Sequence, residues 1–314
     1  MTRRGLVLGA GGVLGASWTV GALAAVEDQL GWDPRDAEVL IGTSAGSVLA
    51  AALASGVSVQ ELLDHQRGVP DPRISFDPDT DSGGAMPPMP RPMVGSPRGM
   101  LSAATHPFRT SPMAALATVL PRGRGSISAL GDLVDGLVPG GGWAPHPQTW
   151  IVAMDYESGR RVPFGQVGMP LAPLRDAVMA SCAIPGWYEP VTIGKRQYVD
   201  GGVCSPTSVD LVGKLGLDEV VVLSPMTSMT YDSPASLAGR LERRFRRLVT
   251  KRVIGEVKKV AARGTVVRFL GPTAEDLAVI GANLMDPRRR FEVLEMSLRT
   301  SAAALGGRTS TVVA

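Results

Sequence analysis

The chain has 314 residues, 44% of them hydrophobic and 19% charged, which is apolar enough for a large core and excludes a disordered chain. The length suits two domains or one large α/β domain. Two cysteines exclude a disulfide-rich scaffold and a cysteine-based zinc site, and a net charge of +3 is too small by itself to imply a nucleic-acid partner.

Arg3 and Arg4 precede an apolar run over residues 5–26, and Ala22 and Ala24 have small-x-small spacing, so the start imitates a secretory leader. Gly9, Gly11, Gly12 and Gly15 interrupt the run, and glycine weakens a hydrophobic helix. A strand at 5–9, a glycine loop and a helix over 16–30 stopped by Gly31 account for them better. Residues 38–41 read as a second strand and 44–55 as an Ala-rich helix with Gly56 at its end. Ser58 and Glu61 have the spacing of a capping box for a helix over 59–67. Strand and helix alternate, which predicts a layered α/β sheet.

From 69 to about 125 the periodicity dissolves and prolines crowd the chain. A stretch this long without a pattern is a lid, a binding loop or a disordered insertion. Regularity returns with a helix near 126–138, a strand at 149–154 and a turn at Glu157-Ser158-Gly159 into a paired strand at 160–164. A helix over 173–181, strands around 190–193 and 197–199, and a helix near 207–215 follow. Residues 219–223 read as a strand buried on both faces. A basic helix over 236–263, a strand at 265–270 and two helices close the chain. The expectation is one domain, with a loop-rich insertion at 69–125 and a helical part over 236–314.

Three segments carry chemistry. Gly42-Thr43-Ser44-Ala45-Gly46 matches G-x-S-x-G between a strand and a helix, the context in which the motif presents a nucleophilic serine. The competing reading is a serine N-cap with glycines for packing. The loop Gly9-Ala10-Gly11-Gly12-Val13-Leu14-Gly15 suits a dinucleotide pyrophosphate or an oxyanion hole. Leu14 stands where the dinucleotide fingerprint needs its third glycine, and no acidic residue ends the second strand. An oxyanion hole built from the N–H groups of Gly11 and Gly12 fits better. The last histidine is His146, and His65 and His106 lie in or beside the insertion, so no late histidine completes a Ser–acid–His order. A carboxylate is then the natural base, and Asp200-Gly201-Gly202 after a strand supplies one, although Asp-Gly alone commonly marks a turn.

Together these segments resemble the patatin-like phospholipase family. The stretch Ser181-Cys182-Ala183-Ile184-Pro185-Gly186, through Pro190-Val191 to Tyr198-Val199-Asp200-Gly201-Gly202, is similar to the family's approach to its catalytic aspartate. The resemblance covers roughly 5–66 and 150–225. It implies a three-layer α/β/α domain around a mostly parallel sheet, with the Pro/Met-rich insertion as a candidate lid. It implies catalysis by a Ser44–Asp200 dyad, an oxyanion hole at Gly11 and Gly12, and motif-supporting Gly9, Gly15, Gly42, Gly46, Gly201 and Gly202. No metal or cofactor is called for. Where the family's glycine loop carries a basic residue, this chain has Leu14, which removes a positive field and is expected to add apolar wall beside the loop.

The expected function is a serine acyl hydrolase acting on lipid esters from the cytoplasm, peripheral to the membrane. An acyltransferase or thioesterase using the same dyad, and a non-catalytic nucleotide- or lipid-binding protein, are the alternatives. Met86, Met89, Met93, Met100 and Met113 are candidates to line an acyl-chain entrance. Residues 240–263 hold ten Arg/Lys and two Glu, with apolar residues at helical spacing. Such a helix packs on the sheet or docks on anionic membrane. No nucleic acid is expected. Cys182 and Cys204 read as small packing residues.

Overall fold

The computed structural model describes residues 2–81, 84–91, 93–105, 111–229, 237–307 and 311–313. In chain order the elements are β1 (Arg4–Leu8), α1 (Gly12–Leu30), β2 (Val39–Thr43), α2 (Ala45–Ala54), α3 (Val59–Gln66), α4 (Pro97–Thr105), α5 (Pro112–Val119) and α6 (Ser128–Leu137). Then come β3 (Thr149–Asp155), β4 (Arg161–Phe164), α7 (Leu174–Cys182), β5 (Val191–Ile193), β6 (Arg196–Asp200) and β7 (Glu219–Leu223). The chain closes with α8 (Leu237–Ala261), β8 (Val266–Leu270), α9 (Ala274–Ile280), α10 (Arg290–Gly306) and β9 (Thr311–Val313).

The strands form one sheet in the order β5-β6-β3-β2-β1-β7-β8-β9, with β4 also paired to β3. Its centre, β3-β2-β1-β7-β8, is parallel, and the pairings of β4, β5, β6 and β9 are antiparallel. Alternate residues of each central strand feed two cores. Leu6, Leu8, Leu40 and Ile151 pack under α1, α2, α3, α6, α7 and α10. Val7, Ile41, Val152 and Val222 pack under α8 and a 3₁₀ turn at Val209–Lys214. The result is three layers, α/β/α.

The leader-like run becomes the central strand β1 and a helix buried on nearly every side. Gly21 is why α10 can lie so close to α1: a Cβ there would sit 2.8 Å from Ser297 Cβ. Ser297 Oγ donates to the Trp18 carbonyl at 2.6 Å. Gly31 ends α1 in the left-handed region at φ 64°. The capping box of Ser58 and Glu61 is present. Among the described residues no helix is long and apolar enough to cross a membrane.

Several expectations need correction. Helix α1 begins four residues early, inside the glycine loop. The insertion contains α4 and α5, each begun by a Ser-Pro pair. Ser96 Oγ accepts from Gly99 N at 3.0 Å and Ser111 Oγ from Ala114 N at 3.1 Å, so each serine caps a helix whose first residue is the proline. The density of other prolines hides that signal. The segment near 207–215 is a 3₁₀ turn rather than an α-helix. The last part of the chain is not purely helical, because β9 pairs with the outer edge of β8. Three residues are too few to show a period.

Candidate active site

Strand β1 leads to β2 and β3 on one side, and the chain later returns to β7 and β8 on the other. The order therefore reverses at β1, and the crevice beyond the carboxyl ends of such strands is where α/β sheets bind ligands. The three sequence segments meet there.

Ser44 follows β2 and precedes α2 with φ 54° and ψ −127°. A non-glycine residue in this region is strained by about 1–3 kcal/mol. Its N–H is held at 2.9 Å by Ser181 Oγ from the end of α7, and that hydroxyl donates to the Val152 carbonyl of β3 at 2.6 Å. Gly46 lets the end of β1 touch the elbow, since a Cβ there would sit 2.1 Å from the Leu8 carbonyl oxygen. A Cβ on Gly42 would likewise collide with Gly46 O and Ser47 Cα.

Asp200 is the last residue of β6. Thr43 pairs with Val152, and the adjacent Ala153 pairs with Asp200, so β3 carries the carboxylate to the elbow. Its Oδ1 accepts from Gly202 N at 2.7 Å, and the Ser44 hydroxyl is close enough to act on its titration. Burial raises the carboxyl pKa to about 6, against the lowering effect of the Ser44 hydroxyl and the Gly202 N–H. A Cβ on Gly202 would touch Asp200 Oδ1 and Ala10 Cβ, so the Asp-Gly-Gly turn also abuts the glycine loop.

In that loop Gly9 N–H donates to Leu223 O, Ala10 to Pro206 O, Leu14 to Leu284 O and Gly15 to Gly11 O. The N–H groups of Gly11, Gly12 and Val13 have no partner among the described residues. Gly12 has φ +60°, which favours glycine. The Ala45 N–H, in the first turn of α2, has no partner among the described residues either. The sequence reading missed it, although the residue after an elbow serine is a usual donor.

Ser44 opens into an apolar pocket with about 970 Å³ of non-protein space, part of it open to solvent. Ala45, Val48, Leu49 and Ala52 of α2 line one wall, and Leu130, Leu133 and Leu137 of α6 face them. Ile74, Phe76, Pro78 and Asp81 cover it from the start of the insertion. Asp79 anchors this strap to Arg290 of α10, whose guanidinium donates to both carboxylate oxygens at 3.0 and 3.1 Å.

Leu14 does not add wall to the site. It is fully buried in the core, and the loop side of the pocket is Gly12, Val13 and Ala16. Because α1 starts at Gly12, position 14 already falls on the inward face. The methionines expected at an entrance stay exposed, Met86 at 76% and Met89 at 84%, and Met285 lines the pocket instead. Cys182 lines the pocket, 3.6 Å from Ser47 Oγ, and burial raises its thiol pKa.

His146 lies at the opposite, amino end of the parallel strands, just before β3, with Nε2 2.7 Å from the Ala37 carbonyl. His106 lies outside the described residues. His65, which the sequence reading left without a role, lines the pocket, where burial and the Arg290 charge lower its pKa.

A comparison with protein families matches residues 6–212 to the patatin-like phospholipases. No curated protein matches the chain. Among solved structures it is similar to VipD from Legionella pneumophila, at 13% identity and a TM-score of 0.47, covering 97% of this chain and 67% of that one. It is also similar to the type III effector protein ExoU, at 15% identity and a TM-score of 0.37, covering 97% of this chain and 53% of that one. The family match spans well over half the chain, and on it this protein belongs to the patatin-like phospholipase family of lipid hydrolases.

Proposed function

We propose that this chain is a serine acyl hydrolase that cleaves lipid esters through Ser44 and Asp200. The observation that carries the reading is the pairing of Ser44, strained at the elbow, with the buried Asp200 carboxyl, whose pKa the Ser44 hydroxyl lowers, at the opening of an apolar pocket. Asp200 takes the Ser44 proton as Oγ attacks the ester carbonyl carbon. The negative charge on the carbonyl oxygen is met by the N–H groups of Gly11 and Gly12, with Ala45 as a further donor. The tetrahedral species collapses as Asp200 passes the proton to the departing alcohol. Asp200 then deprotonates a water that attacks the acyl-enzyme, and Ser44 Oγ leaves with the proton. This chemistry calls on neither a metal nor a cofactor.

In this reading the acyl chain lies along α2. From Ser44 to Ala52 the helix rises about 12 Å, room for an extended chain on the order of ten carbons. The strap at 74–81 is the lid, and the basic helix α8 meets the membrane peripherally. The chain works as one domain, and nucleic acid has no part in it.

The test is labelling with a fluorophosphonate probe together with hydrolysis of a short-chain ester. Ser44→Ala should lose both while keeping its melting temperature. Retained turnover by the purified variant would refute the nucleophile. Product analysis with an added alcohol reads acyl transfer in the same assay.

A further inference from the structure

The N-terminal half of α8 is amphipathic in the inverted sense. Leu237, Leu241, Phe245 and Leu248 recur at helical spacing and stand in solvent, at 76%, 66%, 38% and 67% exposure. On the opposite face Arg243 and Arg246 are buried. Arg246 donates to the Pro225 carbonyl at 2.6 Å and Arg243 to the Leu277 carbonyl at 3.2 Å, and both also meet Glu242. Past Thr250 the usual order returns, with Val253, Val257 and Val260 buried on the sheet. The helix has hydrogen-bonded two of its guanidinium groups inward and left its leucines outside.

Arg240, Arg244 and Lys251 stand three residues after Leu237, Leu241 and Leu248, which places each about 60° around the helix from its stripe neighbour. Between 240 and 252 seven arginines and lysines face one glutamate. This half of α8 also lies at the carboxyl end of the sheet, where the elbow is. Pro225, held by Arg246, follows β7, and a Cβ on Gly11 would lie 2.6 Å from its ring.

The geometry points to this face as a docking surface for an anionic lipid bilayer. A bilayer supplies apolar depth for the leucines and phosphates for the flanking basic residues. A second copy of the chain would bring two basic faces together, which like-charge repulsion opposes. The inference rests on the lipid-hydrolase reading in one respect, that docking here brings the elbow's end of the sheet to its substrate.

The test uses the full chain carrying Ser44→Ala, so that vesicles stay intact. It is sedimented with vesicles of phosphatidylcholine, alone or mixed with phosphatidylglycerol. Binding should require the anionic lipid. It should weaken at least tenfold in Leu241→Ser/Leu248→Ser and in Arg244→Glu/Lys251→Glu, with melting temperatures held. Absence of binding to anionic vesicles, or binding by either variant as tight as that of the parent, overturns the proposal. So does a dimer that the same variants dissolve in a chain that ignores vesicles. Hydrolysis of a water-soluble ester by the chain with Ser44 intact reads the catalytic assignment separately, so the two can fail independently.

Discussion

The backbone N–H of Ser44 is held at 2.9 Å by the side-chain oxygen of Ser181, which is fully buried and itself donates a hydrogen bond to Val152 O. The strained elbow is thus tied to α7 and β3 by a single hydroxyl. Ser181→Ala leaves a buried N–H and a buried carbonyl without partners, at about 1–3 kcal/mol each. We expect kcat for a soluble ester to fall about 10- to 100-fold with KM little changed, because the pocket is untouched while the nucleophile is misplaced. Equal changes in kcat and KM, or none, would show that Ser181 only packs.

Asp200 should set both the pH profile and a cost in stability. Its carboxyl ionises near pH 6, so kcat/KM should fall with acidity below about 6, since the base must be charged. The raised pKa also means that the folded state holds its proton more tightly than the unfolded chain does. Stability from this group is therefore full below about pH 4 and is lost as pH rises through 6. At pH 8 the loss is on the order of 3 kcal/mol. Asp200→Asn should abolish turnover and yet be more stable than the parent at pH 8, with the advantage vanishing near pH 4. Denaturant unfolding at the two pH values measures it, and a pH-independent difference would contradict the buried charge.

His65 is a wall of the pocket in this reading and holds no catalytic proton. The variant His65→Gln/His146→Gln should keep kcat on a short ester within about threefold, a shift below 1 kcal/mol. A loss as deep as that of Ser44→Ala would put a histidine into the mechanism.

Ala52 should set the acyl-chain length. It lies two helical turns beyond Ser44 on the wall of α2, and Ala52→Leu places three more carbons in the path of a long chain. The ratio of kcat/KM for long over short acyl esters should drop at least tenfold, about 1.4 kcal/mol. Overpacking costs about 1–3 kcal/mol of stability, so the assay belongs well below the melting temperature. An unchanged ratio would mean that the chain runs elsewhere.

Asp79 should govern the strap. Asp79→Ala removes both carboxylate contacts to Arg290 and frees 74–81 to lift. Limited proteolysis within this segment should quicken, and hydrolysis of a bulky ester should gain relative to a slim one. A strap that resists protease as before is held by its apolar side chains alone.

The sequence by itself determined the layered α/β order, the positions of most strands and helices, and the three segments that converge. Those features are local: the stop at Gly31, the capping box of Ser58 and Glu61, and the spacing of Gly42, Ser44 and Gly46 are all written within a few residues. The scarcity of histidine is a count, and it pointed to Asp200 before any geometry was known. Tertiary structure decided what depends on distant partners. Leu14 turns inward because α1 begins two residues before it, in a loop whose end is pinned by Leu284. Ser181 meets Ser44 across 137 positions of sequence. In α8 the apolar spacing was legible, but burial went to the arginines, because carbonyls of Pro225 and Leu277 wait beneath them. Periodicity tells which residues share a face of a helix. Which face turns inward depends on the partners that the rest of the chain has placed there.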